Sequence, residues 1–339
     1  MVAPTVGIIA NPASGRDVRR FVAHSTVFDN HEKSAIVRRA LLGLEAVGIT
    51  HVAYMPEDDF GIVAHALQAL HGQNACLGMH VEPLSMTVTG SAADSTHAAQ
   101  LLVEMGAACI ITLGGDGTNR AVAKGCATMP LIPISTGTNN VFPTFTEGTA
   151  AGMAAGLVAM RHAGVNTLRR TPRLEVIVNG VTTDCALIDV VVSSMPFLGS
   201  RAIWDMSQVR EVVLARVVPG TIGFSALGSA LPGTTAGAKA GIHIVLGTGE
   251  YEVLVALASG QVQWMSIANY RWMEPAEEVR LRPGAGTIAL DGEREIELSA
   301  TSVVDIRLSA DGPFVVDVPA TLQEAALAGY LYRRHTIRK

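Results

Sequence analysis

In the first half of the chain, short apolar runs alternate with longer stretches in which apolar residues recur every three or four positions. Residues 5–10 form one such run, closed by Asn11-Pro12, and predict a buried strand. Residues 33–47 place Val37, Ala40, Leu41, Leu44 and Val47 on one stripe of a helix. A second strand is expected at 51–55, a second helix at 60–70, and a third strand at 81–89, where β-branched residues concentrate. Ser91-Ala92-Ala93-Asp94 has capping-box spacing and predicts a helix to about residue 104. Apolar strands follow at 108–113 and 131–135. Strands separated by helices of this length favour a parallel sheet with helices on both faces.

The pattern changes after an Ala/Gly-rich helix at 149–162. Short strand-like runs then occupy 174–178, 185–193, 243–246, 252–257, 279–281, 287–290, 303–308 and 314–316, most of them separated by turn residues. Helical periodicity returns at the end, where Thr321-Leu322-Gln323-Glu324 has capping-box spacing and Leu322, Ala325, Ala326 and Leu331 supply an apolar side. The expected organisation is an α/β domain over residues 1–147, a β-rich domain over 148–320 and a C-terminal helix over 321–339. The α/β domain is expected to bind nucleotide phosphates and the β-rich domain the acceptor.

Composition narrows the possible partners. Of 339 residues, 49% are hydrophobic and 16% charged, so most segments should pack rather than stay disordered. A net charge of −5 leaves no excess of Lys and Arg for a broad nucleic-acid or anionic-lipid surface. Met1-Val2-Ala3-Pro4-Thr5 has no basic segment before its apolar run, so no signal peptide is expected. The apolar stretch at 150–160 is too short for a bilayer and holds Gly152 and Gly156. Cys76, Cys109, Cys126 and Cys185 show no CxxC grouping, which favours buried thiols in a reducing cytoplasm over a zinc site or disulfide framework. The ten histidines have no paired-ligand spacing, and no Walker A pattern occurs.

Three polar, glycine-containing loops follow predicted strands. Gly114-Gly115-Asp116-Gly117-Thr118 precedes a helical segment, so its amides and the helix N-terminus suit phosphate oxygens. Asp116 is placed there to take a proton from an attacking hydroxyl or to hold Mg²⁺. In Asn11-Pro12-Ala13-Ser14-Gly15-Arg16, the Ser14 hydroxyl, the backbone amides and the Arg16 guanidinium suit a polyphosphate, and Gly15 permits close approach. Ser135-Thr136-Gly137-Thr138-Asn139-Asn140 offers hydroxyls and amides for a ribose, an adenine edge or an acceptor molecule. Each loop alone could be an ordinary turn. Three of them at strand ends of one sheet point to a nucleotide.

Together these three segments resemble those of the superfamily of NAD kinases and diacylglycerol- and sphingosine-type lipid kinases. The whole chain is most similar to the ATP-NAD kinase-like branch called acetoin catabolism protein X. The resemblance implies ATP and Mg²⁺ as cofactors, a C-terminal segment returning to the first domain, and homo-oligomers, dimer or tetramer. It assigns Asp116 as the catalytic acid, Gly114, Gly115, Gly117 and Thr118 as the phosphate loop, and Asn11, Ser14 and Gly15 as the ATP-side loop. Leu290-Asp291-Gly292-Glu293 resembles the Asp-Gly segment of the NAD kinase second domain, and Gly233-Thr234-Thr235-Ala236-Gly237 faintly resembles its acceptor-site segment. NAD kinases carry an Asn followed by an acid against the dinucleotide; here the acid is Asp189, but Ile188 stands in place of the Asn.

The activity so implied is phosphoryl transfer from ATP to a hydroxyl of a small molecule, NAD or a nucleotide-like relative, with a link to acetoin catabolism. A lipid kinase is the alternative within enzymes, disfavoured because aromatics are only 5% of the chain and no basic patch is evident. A regulatory protein that senses ATP or NAD without turnover is the other alternative, disfavoured because a pure binder has no need of Asp116 beside polyphosphate.

Overall fold

In the computed structural model, which describes residues 4–14, 28–72, 77–137, 139–195, 206–233, 241–282 and 284–333, the apolar runs of the first half become a parallel sheet. Strands β1 (Thr5–Ala10), β2 (His51–Tyr54), β3 (His80–Pro83), β4 (Cys109–Gly114) and β5 (Leu131–Ser135) lie in the order β3-β2-β1-β4-β5. Helices α1 (Asn30–Ala46), α2 (Ile62–Gly72), α3 (Ala92–Glu104) and α4 (Asp116–Gly125) connect them. Strand residues alternate between two cores. Val6, Ile8, Ile111 and Ile134 face α1 and α2, while Ile9, Ile110 and Leu131 face α3 and α4.

The Ser91–Asp94 capping box forms as expected, with both reciprocal hydrogen bonds present. The third strand is shorter than its β-branched pattern implies. It ends at Pro83, and the N–H groups of Thr89, Gly90 and Ser91 donate to the Asp94 carboxylate rather than to a neighbouring strand.

Helix α5 (Gly148–Ala159) follows and packs against α1 in the first core, so that core continues one helix past residue 147. Its Ala/Gly composition has a steric cause. A Cβ on Gly152 would lie 2.1 Å from the Ala40 carbonyl oxygen, and one on Gly148 would lie 2.6 Å from that of Ile36. The two helices meet backbone to backbone.

The rest is mostly antiparallel: β6 (Leu168–Arg170), β7 (Arg173–Val178), β8 (Val181–Ala186), β9 (Asp189–Ser193), β10 (Val209–Leu214), α6 (Ser225–Ala230), β11 (Gly241–Ala258), β12 (Gln261–Met273), β13 (Glu278–Leu281), β14 (Gly286–Leu290), β15 (Glu293–Leu298), β16 (Val304–Ser309), β17 (Phe314–Val316) and α7 (Val318–Leu327). A six-stranded sheet, β12-β11-β10-β9-β14-β15, packs on a four-stranded one, β13-β16-β7-β8. The other face of the larger sheet is covered too, by α6 and the β11–β12 hairpin. That is why Val190, Val191 and Val192 are all buried.

The run expected at 185–193 is two strands in different sheets, broken at Leu187-Ile188. The runs at 243–246 and 252–257 are one strand, β11, irregular between Leu246 and Tyr251. Strands β10 and β12 were not apparent, because charged and polar residues interrupt their apolar positions.

The chain then returns to the first domain, as the family resemblance implies. Strand β17 pairs parallel to β5, β6 pairs antiparallel to β17, and Val318 and Leu322 of α7 join the first core. Thr321 does not cap α7. Asp317 is the N-cap, accepting from the Ala320 N–H at 3.1 Å, and Pro319 sits in the first turn. Glu324 instead accepts from the Gly164 N–H at 2.8 Å.

Cys109 and Cys126 are buried free thiols, Cys185 is half-buried, and Cys76 lies outside the described residues. No helix among the described residues is long and apolar enough to cross a membrane.

The α1–α5 contact yields a direct test. Gly152→Val should lower stability by roughly 3 kcal/mol, because backbone must move to admit the side chain. Gly72→Ala, at a site with nothing within 4 Å of the added carbon, should change it by less than about 1 kcal/mol. Urea unfolding midpoints of the two variants check this.

Candidate functional site

The three loops expected to act together do lie together, at the carboxyl ends of β1, β4 and β5. The Asn11 N–H donates to the Leu113 carbonyl at 3.0 Å, and its Nδ2 donates to Thr118 Oγ1 at 2.8 Å. Ser14 Oγ lies 3.0 Å from Thr136 Oγ1, and the Thr136 N–H donates to the Gly114 carbonyl at 3.3 Å. Asn140 Nδ2 donates to Ser135 Oγ at 2.9 Å and to the Gly137 carbonyl at 3.3 Å. Asn139 Oδ1 accepts from Ser259 in the β11–β12 turn at 3.0 Å. Gly15, Arg16, Thr138, Thr234 and Thr235 lie outside the described residues.

A residue that the sequence pattern did not single out holds the first loop in place. Lys33 is fully buried in α1, and its Nζ donates to the carbonyls of Asn11 (2.9 Å), Pro12 (3.3 Å) and Ser14 (2.6 Å) and to Asn30 Oδ1 (2.9 Å). Beside the apolar stripe of α1 it reads as a solvated helix lysine. Only the proximity of Asn11-Pro12, brought by the fold, reveals its use.

The glycines at the start of α4 answer to close approach and not to left-handed backbone, most tightly at Gly114. A Cβ on Gly114 would sit 2.5 Å from Thr118, and one on Gly115 would sit 2.8 Å from Asn140 Oδ1. A Cβ on Gly117 would be 3.3 Å from Glu293 Oε1, across the junction with the β-rich domain. The first N–H groups of α4 have no partner one turn back, so this helix end is electropositive.

Asp116 opens α4 with its carboxylate turned to the next loop. It accepts from the Phe142 N–H at 2.7 Å and from the Val141 N–H at 3.1 Å. Burial pushes its pKa up to about 7, and the nearby Asp291 adds to that rise. The two N–H groups and the Arg216 guanidinium pull the other way.

Asp291 sits between β14 and β15 with φ of +51°, and its buried carboxylate accepts from the N–H groups of Leu187, Ile188 and Asp189. Burial raises its pKa, opposed first by Arg120. Arg120 of α4 lies 3.8 Å from Asp291 Oδ2 and 3.3 Å from Asp184 Oδ2, and Lys124 lies 2.6 Å from Asp184 Oδ1. These pairs bind the first domain to the second.

Asp189 is buried at the start of β9, and its carbonyl accepts from the Asp291 N–H at 3.0 Å. Ile188 is 1% exposed and packs with Leu187 and Phe142. Its side chain therefore belongs to the packing beneath the site, not to a ligand-facing surface. Arg216 follows β10, with its guanidinium 5.0 Å from the centre of the Phe142 ring. Its only sequence signal is a charge directly after the apolar run ending at Ala215.

No group of three or more metal-ligating side chains occurs among the described residues. Asp116 and Asp291 still fit Mg²⁺, which commonly takes one or two carboxylates and completes its shell with phosphate oxygens and water.

Residues 6–162 match the ATP-NAD kinase N-terminal domain, and residues 172–311 match the acetoin catabolism protein X C-terminal domain. Acetoin catabolism protein X of Cupriavidus necator is 34% identical over 346 residues, spanning 99% of this chain and 95% of that protein. Among solved structures, a diacylglycerol kinase from Bacillus anthracis str. Sterne aligns over 93% of this chain and 97% of its own, at 15% identity and a TM-score of 0.42. A putative diacylglycerol kinase from the same organism aligns over 92% and 97%, at 15% identity and a TM-score of 0.45.

The Lys33 cluster predicts that Lys33→Met is destabilising by about 3 kcal/mol, because several buried acceptors lose one donor together. The check is urea unfolding of the variant beside the parent protein.

Proposed function

The chain belongs to the acetoin catabolism protein X family, and on that premise we propose that it is an ATP-dependent kinase acting on a hydroxyl of NAD or of a nucleotide-like molecule. The observation that carries this reading is Asp116. An acid beside a glycine loop and a helix N-terminus, with a pKa pushed up to about 7, is poised to accept a proton near neutrality. A site that only binds polyphosphate gains nothing from such a group. The relative's name ties that protein to acetoin catabolism, and we extend the link to this chain as part of the proposal.

In the proposed reaction, the α4 N-terminus and the Gly114–Thr118 amides hold the phosphates of ATP. The acceptor hydroxyl, entering from the side of the β-rich domain, gives its proton to Asp116 as its oxygen bonds to the γ-phosphorus. The bond from that phosphorus to the bridging oxygen breaks, and ADP leaves. Mg²⁺ bound with the nucleotide would neutralise phosphate charge, and Asp291 is the carboxylate that would hold it while Asp116 serves as the base. Because Ile188 is buried, recognition of NAD at this position would have to come from other groups, such as Asp189 or the Thr136–Asn140 loop.

ADP release from Mg·ATP, measured with NAD, NADH and small diols as acceptors, tests the reading. Asp116→Asn should lower kcat on the order of a hundredfold or more while leaving ATP affinity within about threefold. The parent enzyme's kcat/KM should rise with pH through about 7, since the base works only after losing its proton. Near-full turnover by Asp116→Asn would remove the base assignment.

A further inference from the structure

We propose that Arg216 is an anion-binding residue of this site, whose Nε and Nη2 take two oxygens of a phosphoryl group. Naming the ligand as a phosphoryl group rests on the kinase reading above; the geometry of the empty guanidinium edge does not.

Both Nε and Nη2 of Arg216 are buried and have no hydrogen-bond partner among the described residues. These two atoms carry the parallel N–H bonds along one side of the guanidinium, the edge that matches a pair of phosphate or carboxylate oxygens. Buried donors are nearly always satisfied, so a whole edge left empty by the described residues calls for a further partner.

The carboxylates nearby do not fill that role. Asp116 and Asp291 both act on the Arg216 charge, and burial opposes them, yet neither forms an ion pair with it among the described residues. Both carboxylates accept from backbone amides, of residues 141–142 and 187–189 respectively, and not from Arg216. Arg120 is the contrast: it lies 3.8 Å from the same Asp291 and donates to Asp184 Oδ2 at 3.3 Å.

The guanidinium is also held in position. Its backbone neighbour Ala215 donates to the Ile188 carbonyl at 2.8 Å, and its face lies over Phe142, whose N–H donates to Asp116 at 2.7 Å. One residue, Phe142, thus orients both the acid and the cation. A phosphoryl group carried to Asp116 by the α4 N-terminus would meet this edge from the side of the β-rich domain.

The test uses the full chain and compares the parent with Arg216→Lys and Arg216→Met. Titration calorimetry measures ATP, ADP and AMP, and thermal unfolding measures the stabilisation given by inorganic pyrophosphate. Arg216→Met should weaken ATP at least tenfold and abolish the pyrophosphate shift. Arg216→Lys, which keeps the charge and the stem over Phe142 but not the two-pronged edge, should recover only part of either. A loss confined to ATP identifies the transferred phosphoryl as the ligand, and an equal loss for ADP identifies the β-phosphate. Pyrophosphate stabilisation that depends on Arg216, in a protein that does not bind ATP, would keep this assignment and remove the kinase reading. Equal ATP affinity and equal pyrophosphate shifts in all three proteins, or no binding of either by the parent, would overturn it.

Discussion

Two carboxylates drawn into one weakly solvated space from opposite halves of the fold are the constraint on which the site depends. Burial opposes the ionisation of both, and with the Asp291 charge beside it Asp116 is raised to about 7. The protein offsets this with directed dipoles and buried cations. Val141 and Phe142 give N–H groups to Asp116; Leu187, Ile188 and Asp189 give theirs to Asp291; Arg120 pairs with Asp291 and Asp184. The shapes of the connectors follow from these duties. The break between β8 and β9 falls at residues 187–188 because their amides face a carboxylate in place of a strand neighbour.

Much of the first domain was legible in the sequence because each element there satisfies its own local rules. A strand buried on both faces is a continuous apolar run, as in residues 109–113, and the Ser91–Asp94 box closes within one helical turn. The β-rich part was less legible. Strand β12 is an edge with much of one face exposed, so Trp264 and Val262 stand among polar residues and give no clean alternation. The cap of α7 was misplaced because Thr321-Leu322-Gln323-Glu324 fits the box by spacing, whereas Asp317 and Pro319 start the helix earlier and Glu324 is used on Gly164.

At the site, the loops were legible and their supports were not. Gly114, Gly115 and Asp116 announce themselves by type and spacing. Lys33, Arg120 and Arg216 are single charges in helices or after a strand, and their meaning arises only from contacts with residues elsewhere in the chain, such as Asn11, Asp184, Asp291 and Phe142. Position 188 differs again. Residue types place an apolar side chain where NAD kinases carry an Asn, and the fold adds that this side chain packs with Leu187 and Phe142.

The most direct measurement is a carbon-13 NMR titration of the Asp116 side-chain carboxyl in the ligand-free protein, repeated in Asp291→Asn. The midpoint should lie near 7 in the parent and lower in the variant, since removing the Asp291 charge eases ionisation. A parent midpoint at the ordinary aspartate value of about 3.9, or one that Asp291→Asn leaves in place, would contradict this.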